Sequence, residues 1–459
     1  MTGPVLDVPV VIASNRGPVS YRDDGEGLVP VRGGGGLVSG LQPLVDSGQA
    51  RWIAAALSDD DRAAAALGIP ERSGPVHLLD VGVDDLTRYY DVVSNEVLWF
   101  LHHGLFDGAH TPTYTDEWHE SWQAYRRVND AFAHAVCEHS PTGAAVLVQD
   151  YHLTLLAPTV AAQRPDLRLV HFHHTPFAGP SEVRLLEPTA LRELLDGLAA
   201  HHACGFHTDR WATNFLRCVE DRSLPAPRTF ASTLSTDLGA IREVAASAEC
   251  AAALARLEER VGDRFVIARV DRMELSKNVV RGFRAYDLLL RSRAELRGRV
   301  VFVAHCYPSR LGVPAYRDYR DLVVETVAEV NERWGDADWT PVLLELDDDF
   351  ASSVATYRRY DALLVNPVRD GLNLVAKEGP AVNERDGQVV LSTEAGVWTE
   401  LAGAVDEVNP FDLVGTAAAL GATIDRTPTD RRARSEQLRR DAEARTPGDW
   451  LADQLRAAR

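Results

Sequence analysis

Residues 369–379, RDGLNLVAKEG, combine residue types and a spacing that suit an anion flanked by hydroxyls. The apolar run Ala362-Leu363-Leu364-Val365 leads through Asn366-Pro367 into this segment, and Val375, Ala376 and Glu378 read as the first turns of a helix. Gly371 lets the backbone approach a ligand closely. First-turn amides lack intrahelical partners and can hold an anion such as a diphosphate. Asp370 before the turn and Glu378 beyond it are carboxylates, which repel phosphate and accept hydrogen bonds from sugar hydroxyls. The occupant this chemistry fits is a sugar nucleotide. The same spacing also fits an ordinary strand–loop–helix junction with surface charges.

Other polar residues fall where strands are expected to finish, which is where α/β sheets bind ligands. The N-terminal half offers Arg16, Gln149-Asp150-Tyr151-His152 and the run from His171 to Phe177; the C-terminal half offers Arg269, Asp271, Lys277 and Arg310. Arg269 and Lys277 flank a short connection, and two such cations can neutralise a diphosphate leaving group. Each taken singly is equally a structural charge. His171, His173 and His174 lack zinc-ligand spacing, and strand alternation sends His171 and His173 to one face and His174 to the other. Asp347-Asp348-Asp349 reads as solvated carboxylates at a helix start rather than a divalent-metal site. The run Gly33 to Gly36 is not a P-loop, because no Gly-Lys-Ser/Thr follows. It is a substrate-covering loop or a tight turn.

Positioning these groups requires two series of strands and helices. In the first, Val8 to Ala13, Ala144 to Gln149 and Leu169 to Phe172 read as strands, with helical periodicity over Trp118 to Cys137 and Pro188 to His201. Leu37, Leu41 and Leu44 have helical spacing as well. The second series runs from Phe265 to Ala268, Arg299 to Ala304, Pro341 to Leu346, Ala362 to Val365 and Val389 to Leu391. The fold class expected is α/β, with two facing Rossmann-like doubly wound domains and a cleft between them. The 459 residues also exceed what one core usually supports. Residues 1–235 form the first expected domain and 236–444 the second, with the join near 230–245. Trp450-Leu451-Ala452-Asp453-Gln454-Leu455 looks like a helix that docks on something, and 445–459 is placed with the first domain.

Composition narrows the function further. A net charge of −19 disfavours nucleic acid or an anionic membrane as partner. Any phosphate site must therefore be a local arginine and lysine cluster. The 5 cysteines are scattered and odd in number, which reads as reduced, mostly buried thiols. With no secretory leader and no apolar run of membrane length, a cytoplasmic location is expected. A homo-oligomer is left open.

Eight blocks in order carry a resemblance over nearly the full chain: Ser14-Asn15-Arg16, Gly33 to Leu37, Tyr89-Tyr90 through Trp99, Asp150-Tyr151-His152, His174 to Phe177, Arg269 to Lys277, Ser309-Arg310, and 369–379. The chain resembles the trehalose-6-phosphate synthases, retaining glycosyltransferases of family 20 with the GT-B fold. The resemblance implies metal-independent transfer of glucose from a nucleoside diphosphate glucose, a co-substrate rather than a cofactor, to glucose 6-phosphate. It implies that Arg16, Tyr90, Trp99 and Arg310 hold the acceptor's phosphate while Asp150 meets its sugar hydroxyls. His174 and Asp370 would hold the donor glucose. Arg269, Lys277 and the amides of Gly371, Leu372, Asn373 and Leu374 would hold the diphosphate, Glu378 the ribose, and Gly33 and Gly34 would belong to the donor side. An actinobacterial-like style of sequence points to GDP-glucose over UDP- or ADP-glucose.

Departures accompany it. Gln149 stands where the family usually has histidine, Ala54 where a second tryptophan is familiar, and the longer RVDRMELSKN has Asn278 in place of glycine. Residues 51–62 also look like a relative that couples a nucleotide-activated cyclitol to an amino-cyclitol phosphate, validoxylamine 7'-phosphate synthase. That reaction is the alternative within the fold.

Overall fold

The computed structural model describes residues 8–33, 36–46 and 48–459. They divide into two compact units, one of residues up to Leu234 together with Pro447–Arg459, the other Ser235–Thr446.

The first unit is built on seven parallel strands. In chain order they are β1 (Val10–Ser14), then, after the antiparallel hairpin β2 (Val19–Asp23) and β3 (Leu28–Arg32), β4 (Ala50–Ala55), β5 (Val76–Leu79), β6 (Ala145–Gln149), β7 (Arg168–His173), β8 (Ala203–Phe206) and β9 (Arg228–Ala231). The spatial order is β5-β4-β1-β6-β7-β8-β9. Chain order reverses between β1 and β6, so the loops after those strands diverge and leave room for a ligand. The central strands are buried on both faces and read as apolar runs, β1 as VVIAS and β6 as AVLVQ. The C-terminal helix Pro447–Ala457 packs on this unit, with Trp450 fully buried against the Phe172 ring at 5.2 Å.

The second unit carries six parallel strands: β10 (Phe265–Arg272), β11 (Val300–Tyr307), β12 (Val342–Glu345), β13 (Ala362–Val365), β14 (Gln388–Ser392) and β15 (Asp406–Val408). Their order, β12-β11-β10-β13-β14-β15, reverses between β10 and β13. Both units are thus Rossmann-like, the pair of domains of the GT-B type. The strands expected from sequence are present, with no end moved by more than four residues and Ala362–Val365 unchanged. The hairpin and the short strands β4, β5, β8, β9 and β15 carry no strong alternation and went unread. No helix among the described residues is long and apolar enough to cross a membrane.

Candidate active site

In the first unit the polar ends of β1 and β6 lie at the reversal point. The Ser14 hydroxyl accepts from Trp52 Nε1 at 2.7 Å and donates to the Arg16 carbonyl at 2.7 Å. This bracket fixes the turn after β1 and leaves the Arg16 side chain exposed. Asp150 follows β6 with φ 69° and ψ 172°, a strained extended conformation outside the left-handed helical region. Its amide donates to Phe172 O at 2.7 Å and its Oδ1 accepts from the His174 amide at 3.1 Å. Carboxylate and imidazole are therefore held in fixed relation.

His174 Nε2 donates to Gln149 Oε1 at 3.0 Å, and Gln149 Nε2 donates in turn to Gln454 Oε1 at 3.1 Å. Gln149 thus sets the imidazole tautomer, and the C-terminal helix sets Gln149. Burial, reinforced by His207 and His152, holds the His174 pKa well below the ordinary histidine value. A neutral ring follows at pH 7. The residues Arg88–Leu98 wind as a π-helix. Tyr90 stacks on His152 at 5.8 Å, and Trp99 meets Tyr151 at 6.0 Å. Arg16, Tyr90, Trp99, Asp150 and His174 all belong to this unit. Gly33 does too, donating its amide to Pro18 O at 2.8 Å; Gly34 lies outside the described residues.

Beside this site His171 Nε2 lies 3.3 Å from His173 Nδ1, so the two do share a face. Both are completely buried, and the His201 ring sits 5.3 Å from His171. Burial depresses all three pKa values, that of His201 to about 4. These rings are neutral in the fold but protonate near 6.5 once unfolded. Their stability contribution is therefore complete above pH 6.5 and is lost as pH falls below it, for His201 down to about pH 4. Unfolding of the first unit in urea should shift to clearly lower urea between pH 7 and pH 5. An unchanged midpoint would contradict neutral burial of the three rings.

In the second unit the C-terminal half of β10 and the turn after it supply the cations, and the segment after β13 the anion-binding turn. Arg269 is completely buried, with Nε donating to Asp271 Oδ2 at 2.9 Å and Nη2 to the Lys277 carbonyl at 2.5 Å. Lys277 Nζ donates to Asp370 Oδ2 at 2.6 Å, and Asn373 Nδ2 reaches the same oxygen at 3.2 Å. Burial alone would depress the Lys277 pKa, but Asp370, Asp271 and Glu274 outweigh it and the pKa is raised. The ammonium stays charged. Gly371, Leu372, Asn373 and Leu374 lead into the helix Val375–Val382, in which the Lys377 amide donates to the Leu374 carbonyl at 2.8 Å; the amides ahead of it are those that a helix start leaves without an intrahelical acceptor. Glu378 accepts from Thr236 Oγ1 and Tyr357 Oη, each at 3.3 Å. Burial raises its pKa, opposed by these two bonds.

The structure brings together Arg269, Lys277, Asp370 and Asn373, all in the second unit. Arg310, with φ 51° and its Nη1 donating to Tyr316 Oη at 2.8 Å, belongs to this unit as well, whereas Arg16 belongs to the first. Lys377, the remaining cation of the 369–379 segment apart from Arg369, serves packing instead and pairs with Glu400 at 2.7 Å. Asn278 explains its own departure: φ is 60°, a conformation glycine or asparagine accepts, and its amide donates to the carbonyls of Asn366 and Pro410. Asp349 caps the helix Phe350–Arg359 by accepting from Ser352 N. Among the described residues no cluster of three or more His, Cys, Asp or Glu is placed to hold a metal.

Sequence reasoning missed Glu274, completely buried with Arg272 Nε at 3.1 Å and Arg310 Nη2 at 3.9 Å. Its signal was the extra length of RVDRMELSKN. Thr236 and Tyr357 were missed as well, and nothing local marks them.

The sequence profile of Glycosyltransferase family 20 matches residues 9–459. A trehalose-6-phosphate synthase of Mycobacterium tuberculosis is 30% identical, covering 98% of this chain and 94% of that protein. A bifunctional trehalose-6-phosphate synthase/phosphatase of Thermoproteus tenax is 30% identical over 94% of this chain, which spans 61% of that protein. An alpha,alpha-trehalose-phosphate synthase (UDP-forming) of Schizosaccharomyces pombe is 29% identical, over 96% of this chain and 88% of that protein. Among solved structures, an alpha,alpha-trehalose-phosphate synthase (UDP-forming) of Burkholderia xenovorans in complex with glucose-6-phosphate superimposes with a TM-score of 0.83. It is 25% identical, with 98% of this chain and 100% of that chain covered.

Proposed function

This chain belongs to glycosyltransferase family 20, and we propose that it transfers glucose from a nucleoside diphosphate glucose to glucose 6-phosphate, forming α,α-trehalose 6-phosphate with retention. The observation that carries the reading is the donor-side cluster, in which Arg269 and Lys277 stand with Asp370 at the strand-order reversal, before a helix N-terminus. Cations and amides there suit a diphosphate, and Asp370 and Glu378 suit hydroxyls. Arg16, Tyr90 and Trp99 are assigned to the acceptor's phosphate, with Arg310 as a second cation for it, Asp150 to its hydroxyls and His174 to the donor glucose. The mechanism proposed is front-face transfer. Asp150 and Asp370 are both assigned to sugar hydroxyls, and neither is assigned as a nucleophile. The C1–O bond to the diphosphate breaks, the acceptor's anomeric oxygen bonds to C1 on the same face, and the leaving diphosphate takes its proton.

The test is formation of trehalose 6-phosphate with retained configuration; a covalent glucosyl-enzyme or an inverted product would sink the mechanism. The base is the finer point. Sequence style favours guanine, whereas the fission yeast and Burkholderia proteins are named as UDP-forming. Comparing kcat/KM for UDP-, ADP- and GDP-glucose at constant glucose 6-phosphate ranks them. Two cations and a helix N-terminus neutralise a diphosphate without a divalent ion. Activity should therefore persist in excess EDTA, and loss restored by Mg²⁺ would overturn that expectation.

One observation favours a second reading. The stretch 51–62, RWIAAALSDDDR, is similar to that of a cyclitol-coupling relative, whose acceptor is an aminated cyclitol phosphate rather than glucose 6-phosphate. Supplying both acceptors in parallel separates the two.

A further inference from the structure

We propose that the π-helical winding of residues 88–98 is what turns Tyr90 and Trp99 to one side, and that Ser94 is the positioning residue that holds this winding. The inference rests on the acceptor reading above, in which those two aromatic side chains meet the phosphate. They stand nine positions apart. An α-helix advances about 100° per residue, which would set them on opposite faces. A π-helix, bonded i→i+5, advances only about 82° per residue and returns the second side chain to within about 20° of the first. Ring contacts agree with the second geometry. Tyr90 stacks on His152 and Trp99 abuts Tyr151, consecutive residues that stack on each other at 4.1 Å. Both aromatics therefore flank the step that follows Asp150.

A π-helix of 11 residues is long for a winding usually confined to single turns, so something must favour it over the α register. Ser94 does so from both of its polar ends. Its hydroxyl, completely buried, donates to the Tyr89 carbonyl at 2.8 Å, the same five-residue step as the backbone. Its carbonyl accepts the Trp99 amide. One residue thus ties the neighbour of Tyr90 to Trp99 itself. Asn95 then fastens the winding to the Asp150 turn, accepting from Tyr151 Oη at 3.1 Å.

The experiment compares Ser94→Ala, Ser94→Thr and Tyr151→Phe with the unmodified chain. Readouts are steady-state kinetics with glucose 6-phosphate and with glucose, calorimetric binding of glucose 6-phosphate, and Tm. Ser94→Ala should raise the glucose 6-phosphate KM about tenfold and cut the preference for glucose 6-phosphate over glucose by a similar factor, with donor KM within about twofold. Threonine keeps the hydroxyl and should restore both. Tyr151→Phe should raise the same KM about threefold, and it carries the test should Ser94→Ala not fold. An unaltered acceptor preference in the folded variants overturns the proposal. So does an equal loss toward donor and acceptor with lowered Tm and no rescue by threonine, which marks a merely structural serine. If the unmodified chain binds no glucose 6-phosphate, the acceptor reading fails first, and this proposal with it.

Discussion

Lys277→Ala should lower kcat by about 10²–10³-fold while changing the acceptor KM little, because the ammonium acts where charge develops on the leaving diphosphate. Lys277 Nζ is 2.6 Å from Asp370, and Asp370 keeps Asn373 as a partner at 3.2 Å when the lysine is removed. The variant should therefore fold. Arg269→Ala should show the same kcat loss with an added fall in Tm. Its guanidinium is completely buried against Asp271, and deleting it leaves that carboxylate buried without its strongest partner. Stopped assays at saturating donor and varied glucose 6-phosphate separate the two effects, with Tm measured alongside. Near-normal kcat combined with lost acceptor affinity would show that the cations serve the acceptor instead.

Gly396→Ala should abolish most activity, by about 10²-fold or more, although Gly396 is itself assigned to no substrate. A Cβ at Gly396 would sit 1.9 Å from the Gly371 carbonyl oxygen and 2.8 Å from its carbon. Those are backbone atoms and cannot rotate away. Gly396 N donates to Asp370 O at 3.1 Å and Val397 N to Leu372 O at 2.9 Å, so these bonds hold the anion-binding turn in place. A methyl group must push residues 370–372 aside, carrying the Asp370 carboxylate away from Lys277 and reshaping the approach to the helix. Strain of this kind also costs about 1–3 kcal/mol of stability. Gly403→Ala is the control, since nothing lies within 4 Å of its added Cβ. Matching activities in the two variants would mean that the turn tolerates displacement and does not set the donor geometry.

Much of this was legible in the residues alone. Apolar runs such as Ala362–Val365 and the strand ending at Gln149 mark buried parallel strands because such strands need apolar side chains on both faces. Polar residues after such runs mark strand ends, which is how Asp150 and Asp370 stood out; Arg269 stood out in the same way, although β10 continues through it to Arg272. Local backbone chemistry explains the helix start at Val375 in the same way. Tertiary structure decided what depends on partners distant in the chain. Gln149 meets Gln454 across 305 residues, and no periodicity links two such positions. Lys277 and Lys377 look alike in sequence, yet one pairs with Asp370 at the strand-order reversal and the other with Glu400 in the packing beside it. The winding of 88–98 was equally hidden, because α and π registers differ by one hydrogen-bond step and carry no distinct residue pattern. Propensity acts over a few neighbouring residues, whereas the pairing of a charge and the facing of an aromatic ring are settled by whatever the rest of the fold places against them.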